Sequence, residues 1–267
     1  MQGETSFLES LSIQSRVLWA LLMREILTRY GRHNIGFFWV FCEPILFCTG
    51  VAVIWHYIHT NALHREAPNV SVVAFAISGY SNVLLWRNTA NRCCEAVTPN
   101  LALLYHRNVR VLDLALGRIA LEIVGCGMGF MVIMVTFVAF HIIDPPADWT
   151  MLMAGYLMSA LFAGSLGLMT CACSELSEVF TKFWHPITYF LLPLSGLSFM
   201  VSWIPHQYQK LALAVPTVDG TEMIRDGYFG QIVHPHYNVG YLTLWCLGLT
   251  LIGLILLKHF ARRVEPQ

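Results

Sequence analysis

Charge is scarce in this chain of 267 residues. Only 12% are Asp, Glu, Lys or Arg, about half the share of a typical soluble domain. Hydrophobic residues make up 56% and the mean hydropathy is +0.58, an apolar excess that calls for lipid rather than a larger core. Net charge is missing as well, with 16 basic against 16 acidic residues. The basic residues cluster between apolar runs instead of covering one face, which argues against nucleic-acid binding. No CxxC pair or zinc-type spacing joins the eight cysteines (42, 48, 93, 94, 126, 171, 173 and 246), so they read as small reduced hydrophobes and no metal site is expected. A Walker motif is absent, so this chain cannot itself hydrolyse ATP. A short apolar core close behind the first basic residues is also lacking, so no cleavable signal is expected.

What is present is a set of long apolar runs. A bilayer core of about 30 Å needs about 20 mostly apolar helical residues, and six stretches qualify: 35–58, 70–90, 111–143, 149–173, 179–204 and 238–257. Backbone inside lipid must satisfy its own hydrogen bonds, so each is expected to be helical. The fold class is therefore all-α and integral to a membrane, as one domain over 1–267. Thirteen basic residues fall on one side of these spans and three (Arg65, Lys210, Arg225) on the other. The positive-inside rule then places both termini in the cytoplasm.

The segment ahead of the first span has its own pattern. Trp19, Leu22, Met23, Ile26, Leu27 and Tyr30 recur at helical spacing. Arg24, Glu25, Thr28 and Arg32 fall on the opposite face, with Arg29 nearby. This pattern predicts an amphipathic helix over 15–33 lying in the headgroup plane. Inside the first span stand Glu43 and Pro44. An intramembrane carboxylate must be paired, hydrated or protonated. Glu122, in the third span, is four residues from Arg118, a spacing that allows a helix-internal pair.

Two connections stand out. Residues 98–107 open with Thr98 as a cap and Pro99 at the first helical position, followed by good helix formers. This helix is too short to span; it suits either docking on a cytoplasmic partner or a plain loop helix. Leu101, Leu104 and Tyr105 are the available apolar knobs, with Arg107 at the rim. The connection 203–238 is unusually long. It predicts two short helices broken at Pro216, the second capped by Thr221 or Asp219 and ended by Gly227. They suggest a re-entrant pair or an external gate. Tyr228, Phe229 and Trp203 fit an outer aromatic belt or a sugar-stacking surface.

Three segments carry a family resemblance: "LLMREILTRYGRHNIGFFWVFCEPI" (21–45), "LLYHRNVRVLDLALGR" (103–118) and "VPTVDGTEMIRDGYFG" (215–230). The chain resembles ABC-2 type permeases that export polysaccharide, nearest to the KpsM type of Gram-negative capsule exporters. Val215 stands where that pattern has Asn. The resemblance implies a homodimer in the bacterial inner membrane, each copy docked on a separate nucleotide-binding ATPase that holds ATP and Mg. It makes 98–107 (Pro99, Leu101, Leu104, Tyr105, Arg107) the coupling helix and 19–32 (Trp19, Arg24, Arg29, Tyr30, Arg32) the interfacial helix. Residues 206–228 become periplasmic gate helices, with Glu222, Arg225, Tyr228 and Phe229 as gate residues. The implied cargo is a lipid-linked acidic capsular polysaccharide, handed to a periplasmic co-polymerase and outer-membrane partners. O-antigen or teichoic acid on the same scaffold is the near alternative. A membrane transferase is the distant one, because Glu43, His56 and His59 do not converge at one depth.

Overall fold

The structure is a computed structural model that describes residues 7–30, 70–105 and 109–264, together with the isolated positions 46 and 50. Among the described residues the chain is all helical: α1 (Phe7–Tyr30), α2 (Val72–Cys93), a 3-10 helix (Thr98–Tyr105), α3 (Val111–Ala139), α4 (Trp149–Leu176), α5 (Glu178–Leu194), α6 (His206–Ala212), α7 (Pro216–Phe229) and α8 (Val239–Val264), with 3-10 turns at Val201–Trp203 and Gly230–Ile232. Apart from positions 46 and 50, the first apolar stretch, 35–58, lies outside the described residues, and the other five each contain most of one helix of 17 to 29 residues.

Among the described residues, three helices are long and apolar enough to cross a membrane: Val111–Ala139, Trp149–Leu176 and Val239–Arg262. α5 is shorter than expected. Its 17 residues hold Pro186 and Pro193, and the helix stops at Leu194 rather than near 204. Each proline removes a backbone donor, and Gly196 at φ 77° turns the chain away. α1 also departs from its expected bounds, starting at Phe7 rather than near 15.

Helix starts follow local chemistry. Asp148 accepts hydrogen bonds from Thr150 and Met151 N–H at 2.8 and 3.1 Å, capping α4. α7 starts with Pro216 at its first position behind Val215, so neither Thr221 nor Asp219 is its cap. The helix runs through Gly227 and ends at Gly230, whose φ of 55° suits glycine.

The helices alternate in direction and share two hydrophobic cores. One core, at the end where α2 stops and α3 starts, gathers Cys93, Val97, Leu104, Leu114, Ile119 and Leu257. The larger core joins α2, α4 and α7 through Ile77, Trp86, Leu152, Ala163 and Ile224. α4 is central, packing against α8, α7 and α2.

Glycine sets the α4–α7 contact. A Cβ built on Gly155 would lie 2.7 Å from the Ile224 nitrogen, and one on Gly227 would overlap the Leu152 backbone. Gly125 on α3, in contrast, faces open space. Gly155→Ala is expected to lose about 1–3 kcal/mol through overpacking. Gly125→Ala should be neutral or gain up to about 1 kcal/mol. Melting of the two variants in detergent checks the contrast.

Candidate functional site

Two polar assemblies occupy opposite ends of the bundle. At the end of the smaller core, α1 is tied down by its own polar face. Arg24 Nη1 donates to Asn100 Oδ1 at 3.0 Å, Glu25 pairs with Arg118 at 3.3 Å, and Gln14 bonds to Asp113. This polar face meets α3 and the 3-10 helix. Trp19, Met23 and Leu27 form an exposed apolar stripe, with Trp19 62% and Leu27 67% exposed. Arg118 therefore turns to α1 and not to Glu122. The buried Glu122 faces Arg92 of α2 at 4.0 Å instead. The helix-internal pair expected at i, i+4 does not form, because a partner on another helix lies closer to Arg118.

The 98–105 segment is a 3-10 helix rather than an α-helix. Thr98 does not cap it with its hydroxyl. That hydroxyl donates to Glu175 Oε2 at 3.0 Å, and the Thr98 N–H reaches Oε1 at 3.3 Å. Glu175 thus anchors the segment to the end of α4. Pro99 and Leu101 are exposed, while Leu104 is 7% exposed and packs inward. The three expected knobs do not share a face: Leu101 points out and Leu104 is core. Tyr105 closes the 3-10 helix, and Arg29 and Tyr30 close α1. The side chains of these three, with all of Arg32, Glu43 and Arg107, fall outside the described residues.

At the opposite end α7 carries a buried polar knot. Arg225 is fully buried. It donates to the carbonyls of Phe199 at 2.6 Å and Leu197 at 3.0 Å, and its guanidinium stacks 3.7 Å over the Phe75 ring of α2. Glu222 accepts from Val201 N–H at 3.3 Å and from His236 N–H at 3.1 Å. Asp219 Oδ1 accepts from Asn238 N–H at 2.8 Å. Asn82 of α2 donates to Thr217 O at 3.1 Å and to Thr221 Oγ1 at 2.7 Å.

Burial raises the Glu222 carboxyl, an effect opposed by the His236 N–H and the Arg225 charge. Burial lowers the Arg225 guanidinium to about 9 against the pull of Glu222, which leaves it charged at neutral pH. Asp219 is pushed up to about 6 by burial, despite the Asn238 N–H.

The expected gate residues Glu222, Arg225, Tyr228 and Phe229 do come together, but as interior groups no more than 5% exposed. Tyr228 donates to Asp144 O at 2.5 Å and meets Phe229 edge to face, so neither ring joins an outer belt. Trp203 is 40% exposed and stacks on Phe75 at 5.1 Å. Asn82, Asp219, His236 and Asn238 complete the knot and were not singled out from sequence as its members. The only signal was the three-residue step Asp219, Glu222, Arg225. The knot offers no nucleophile beside a base. What it does is fasten the 195–201 and 233–238 connections to α7.

A bundle with an amphipathic N-terminal helix docked beside a short loop helix, and a helix too short to span buried at the far end, matches a known family along most of its length. The model of the ABC-2 type transporter family covers residues 16–229. This chain belongs to that family. It is 42% identical over 264 residues to the capsule polysaccharide export inner-membrane protein BexB of Haemophilus influenzae, covering 99% of this chain and 98% of BexB. It is 44% identical, with the same coverage, to the capsule polysaccharide export inner-membrane protein CtrC of Neisseria meningitidis serogroup B. The polysialic acid transport protein KpsM of Escherichia coli is 25% identical over 92% of this chain and 94% of its own.

The raised Asp219 carboxyl gives a pH test. A folded-state value of about 6 against an ordinary 3.8 means that the folded protein holds this proton more tightly than the unfolded chain. The stability this contributes is fully present below about pH 4 and is lost as pH rises through about 6. Asp219→Asn removes the proton, so the wild-type minus variant stability should fall across that window and level off above it. The fall is at most about 3 kcal/mol. Melting temperatures in detergent at stepped pH measure it.

Proposed function

We propose that this chain is the membrane-spanning subunit of an ATP-driven exporter that moves a lipid-linked capsular polysaccharide across the bacterial inner membrane. The observation that carries the reading is its 42–44% identity, over 99% of its length, to capsule polysaccharide export inner-membrane proteins. In this reading two copies pair, each with six spans and cytoplasmic termini. ATP and Mg are held by a separate nucleotide-binding subunit, in keeping with the absence of a Walker motif here.

The residues then take roles by position. Pro99 and Leu101, exposed on a segment fastened by Glu175 and Arg24, are the contact for the ATPase. The Trp19–Met23–Leu27 stripe rests in the headgroup plane, with Arg16 and Arg24 exposed beside it. α6 and α7 form the periplasmic gate, and the knot around Arg225 fixes their arrangement. α5 presents Phe183 and Phe190, both exposed and seven residues apart on one face, as a neutral aromatic wall for the cargo. Sugar rings stack on such a wall without the tight binding that fixed cations would impose on an acidic polymer, and conduction needs sites that release. The periplasmic co-polymerase and outer-membrane partners would receive the polymer beyond the gate.

A strain lacking this protein should lose surface capsule and retain lipid-linked polymer inside the cell, as glycan and lipid analysis would reveal. Retention of O-antigen or teichoic acid instead, with capsule intact, would reassign the cargo. Pro99→Ala combined with Leu101→Ala should cut export several-fold and uncouple ATP hydrolysis from it, while membrane insertion stays normal. Leu104→Ala should act differently, lowering stability by about 2–5 kcal/mol as a core truncation. Export at the wild-type level in the Pro99/Leu101 double variant would remove the docking role.

A further inference from the structure

At the end of the bundle that holds α1, a cleft of about 370 Å³ opens between the start of α3 and the last turns of α8. Arg110, Val111, Leu254, Leu257, Lys258 and Ala261 line it. Val111 and Leu257 are buried and belong to the smaller core, so the floor is apolar and fixed. Leu254, Leu257, Lys258 and Ala261 recur at helical spacing and lay one face of α8 along the cleft.

Two cations stand at its rim, one from each side, and no acidic residue lines it. Both are exposed. Other cations at this end are already matched: Arg24 with Asn100, Arg118 with Glu25 and Arg92 with Glu122. The side chains of Arg110 and Lys258 have no hydrogen-bond or ion-pair partner among the described residues. Asp113, three residues after Arg110, does not serve. It is buried and already accepts from the Arg110 N–H at 3.0 Å and from Gln14.

The cleft lies where the apolar stretch Val239–Arg262 ends, at headgroup depth if α8 crosses the bilayer. Toward the middle of that stretch the same face continues through Leu251 and Leu247, both exposed. Unpaired cations beside an apolar stripe match a negative headgroup joined to an apolar tail. A free phosphate would engage the cations and leave the stripe uncovered. An uncharged lipid would cover the stripe and leave the cations unmatched. Only an acidic lipid satisfies both.

We propose that this cleft binds an anionic phospholipid, its phosphate between Arg110 and Lys258 and one acyl chain along Leu254 and Leu251. The site needs only that α3 and α8 cross the bilayer, so it stands apart from the identity of the cargo and from the ATPase contact.

Native mass spectrometry of the purified full-length chain in detergent tests this, with phosphatidylglycerol and phosphatidylethanolamine of identical acyl chains added together. Each basic residue beside an anionic headgroup raises its retention on the order of fivefold. Wild type should therefore favour phosphatidylglycerol roughly 25-fold, Lys258→Gln about fivefold, and the double variant Arg110→Gln with Lys258→Gln not at all. Lys258→Gln alone carries the test if the double variant fails to fold. Lys182 is exposed near the start of α5 and lies outside the cleft, so Lys182→Gln should keep the wild-type preference. Equal retention of the two lipids by wild type would overturn the proposal. An equal loss of preference in Lys182→Gln and Lys258→Gln would assign it to general surface charge and also overturn it. Glycerol 3-phosphate has the anion without the tail. If wild type retained it as well as phosphatidylglycerol, the cleft would be a soluble-phosphate site and the lipid would be ruled out.

Discussion

The guanidinium of Arg225 holds together the end of the bundle opposite α1. Between Leu194 and Pro216 the chain leaves regular helix for most of its path, and its carbonyls and N–H groups need partners wherever water is excluded. Arg225 supplies donors to Leu197 and Phe199, and Glu222 supplies acceptors to Val201 and His236. Two opposite charges on one short helix thus satisfy two irregular segments. Each charge also offsets the burial of the other, so removing one would leave its neighbour buried with only its backbone partners and destabilise this end of the bundle. α7 can sit deep enough to do this only because Gly155 and Gly227 let two backbones approach.

α4 connects that knot to the other end of the molecule. Its start holds α7 at Leu152 and Gly155, and its last turn holds Thr98 through Glu175. One continuous helix of 28 residues, about 42 Å long, therefore touches both the 98–105 segment and the buried α7. α1 adds a second constraint on the same segment, since Arg24 holds Asn100 while Glu25 holds Arg118. The 98–105 segment is held from two sides, and Pro99 and Leu101 are its exposed residues.

Much of this was legible in the sequence, and the failures have local causes. Apolar run length located the helices, and Pro216 located the break before α7. Spacing alone could not choose among partners: Arg118 sits four residues from Glu122, yet Glu25 of α1 takes it. Composition marked Leu101 and Leu104 alike as apolar, whereas only tertiary packing decides which of the two is core. Thr98 has the right identity for a cap, but Glu175, 77 residues away, competes for its hydroxyl. The first turns of α1 do hold Phe7, Leu8, Leu11 and Ile13, but the polar residues between them hid the helix from a reading by apolar periodicity. Tyr228 and Phe229 looked like belt aromatics because nothing in the sequence marks α7 as enclosed on every side. Glu43, the most unusual residue of the first span, lies outside the described residues.

α2 explains why apolar composition undercounts membrane helices in a transporter of this kind. Its 22 residues extend about 33 Å, enough to cross the hydrocarbon core. Even so, it is not among the three helices that qualify on composition. Arg87, Asn88, Asn91 and Arg92 lower its hydropathy over the last turns, and Asn82, with Ser78, Ser81 and Thr89, all buried, lowers it further inside the helix. Asn82 ties α2 to α7 through Thr217 and Thr221, and Thr89 returns its hydroxyl to Leu85 O at 2.7 Å. These polar groups face protein, where they are satisfied, and so cost little in lipid. A helix at the centre of a bundle is selected for what it must hold, and α2 holds the short helix at the far end. Of the three helices that qualify among the described residues, α3 and α8 are the least buried and the most apolar, and the more enclosed α4 is less apolar than either.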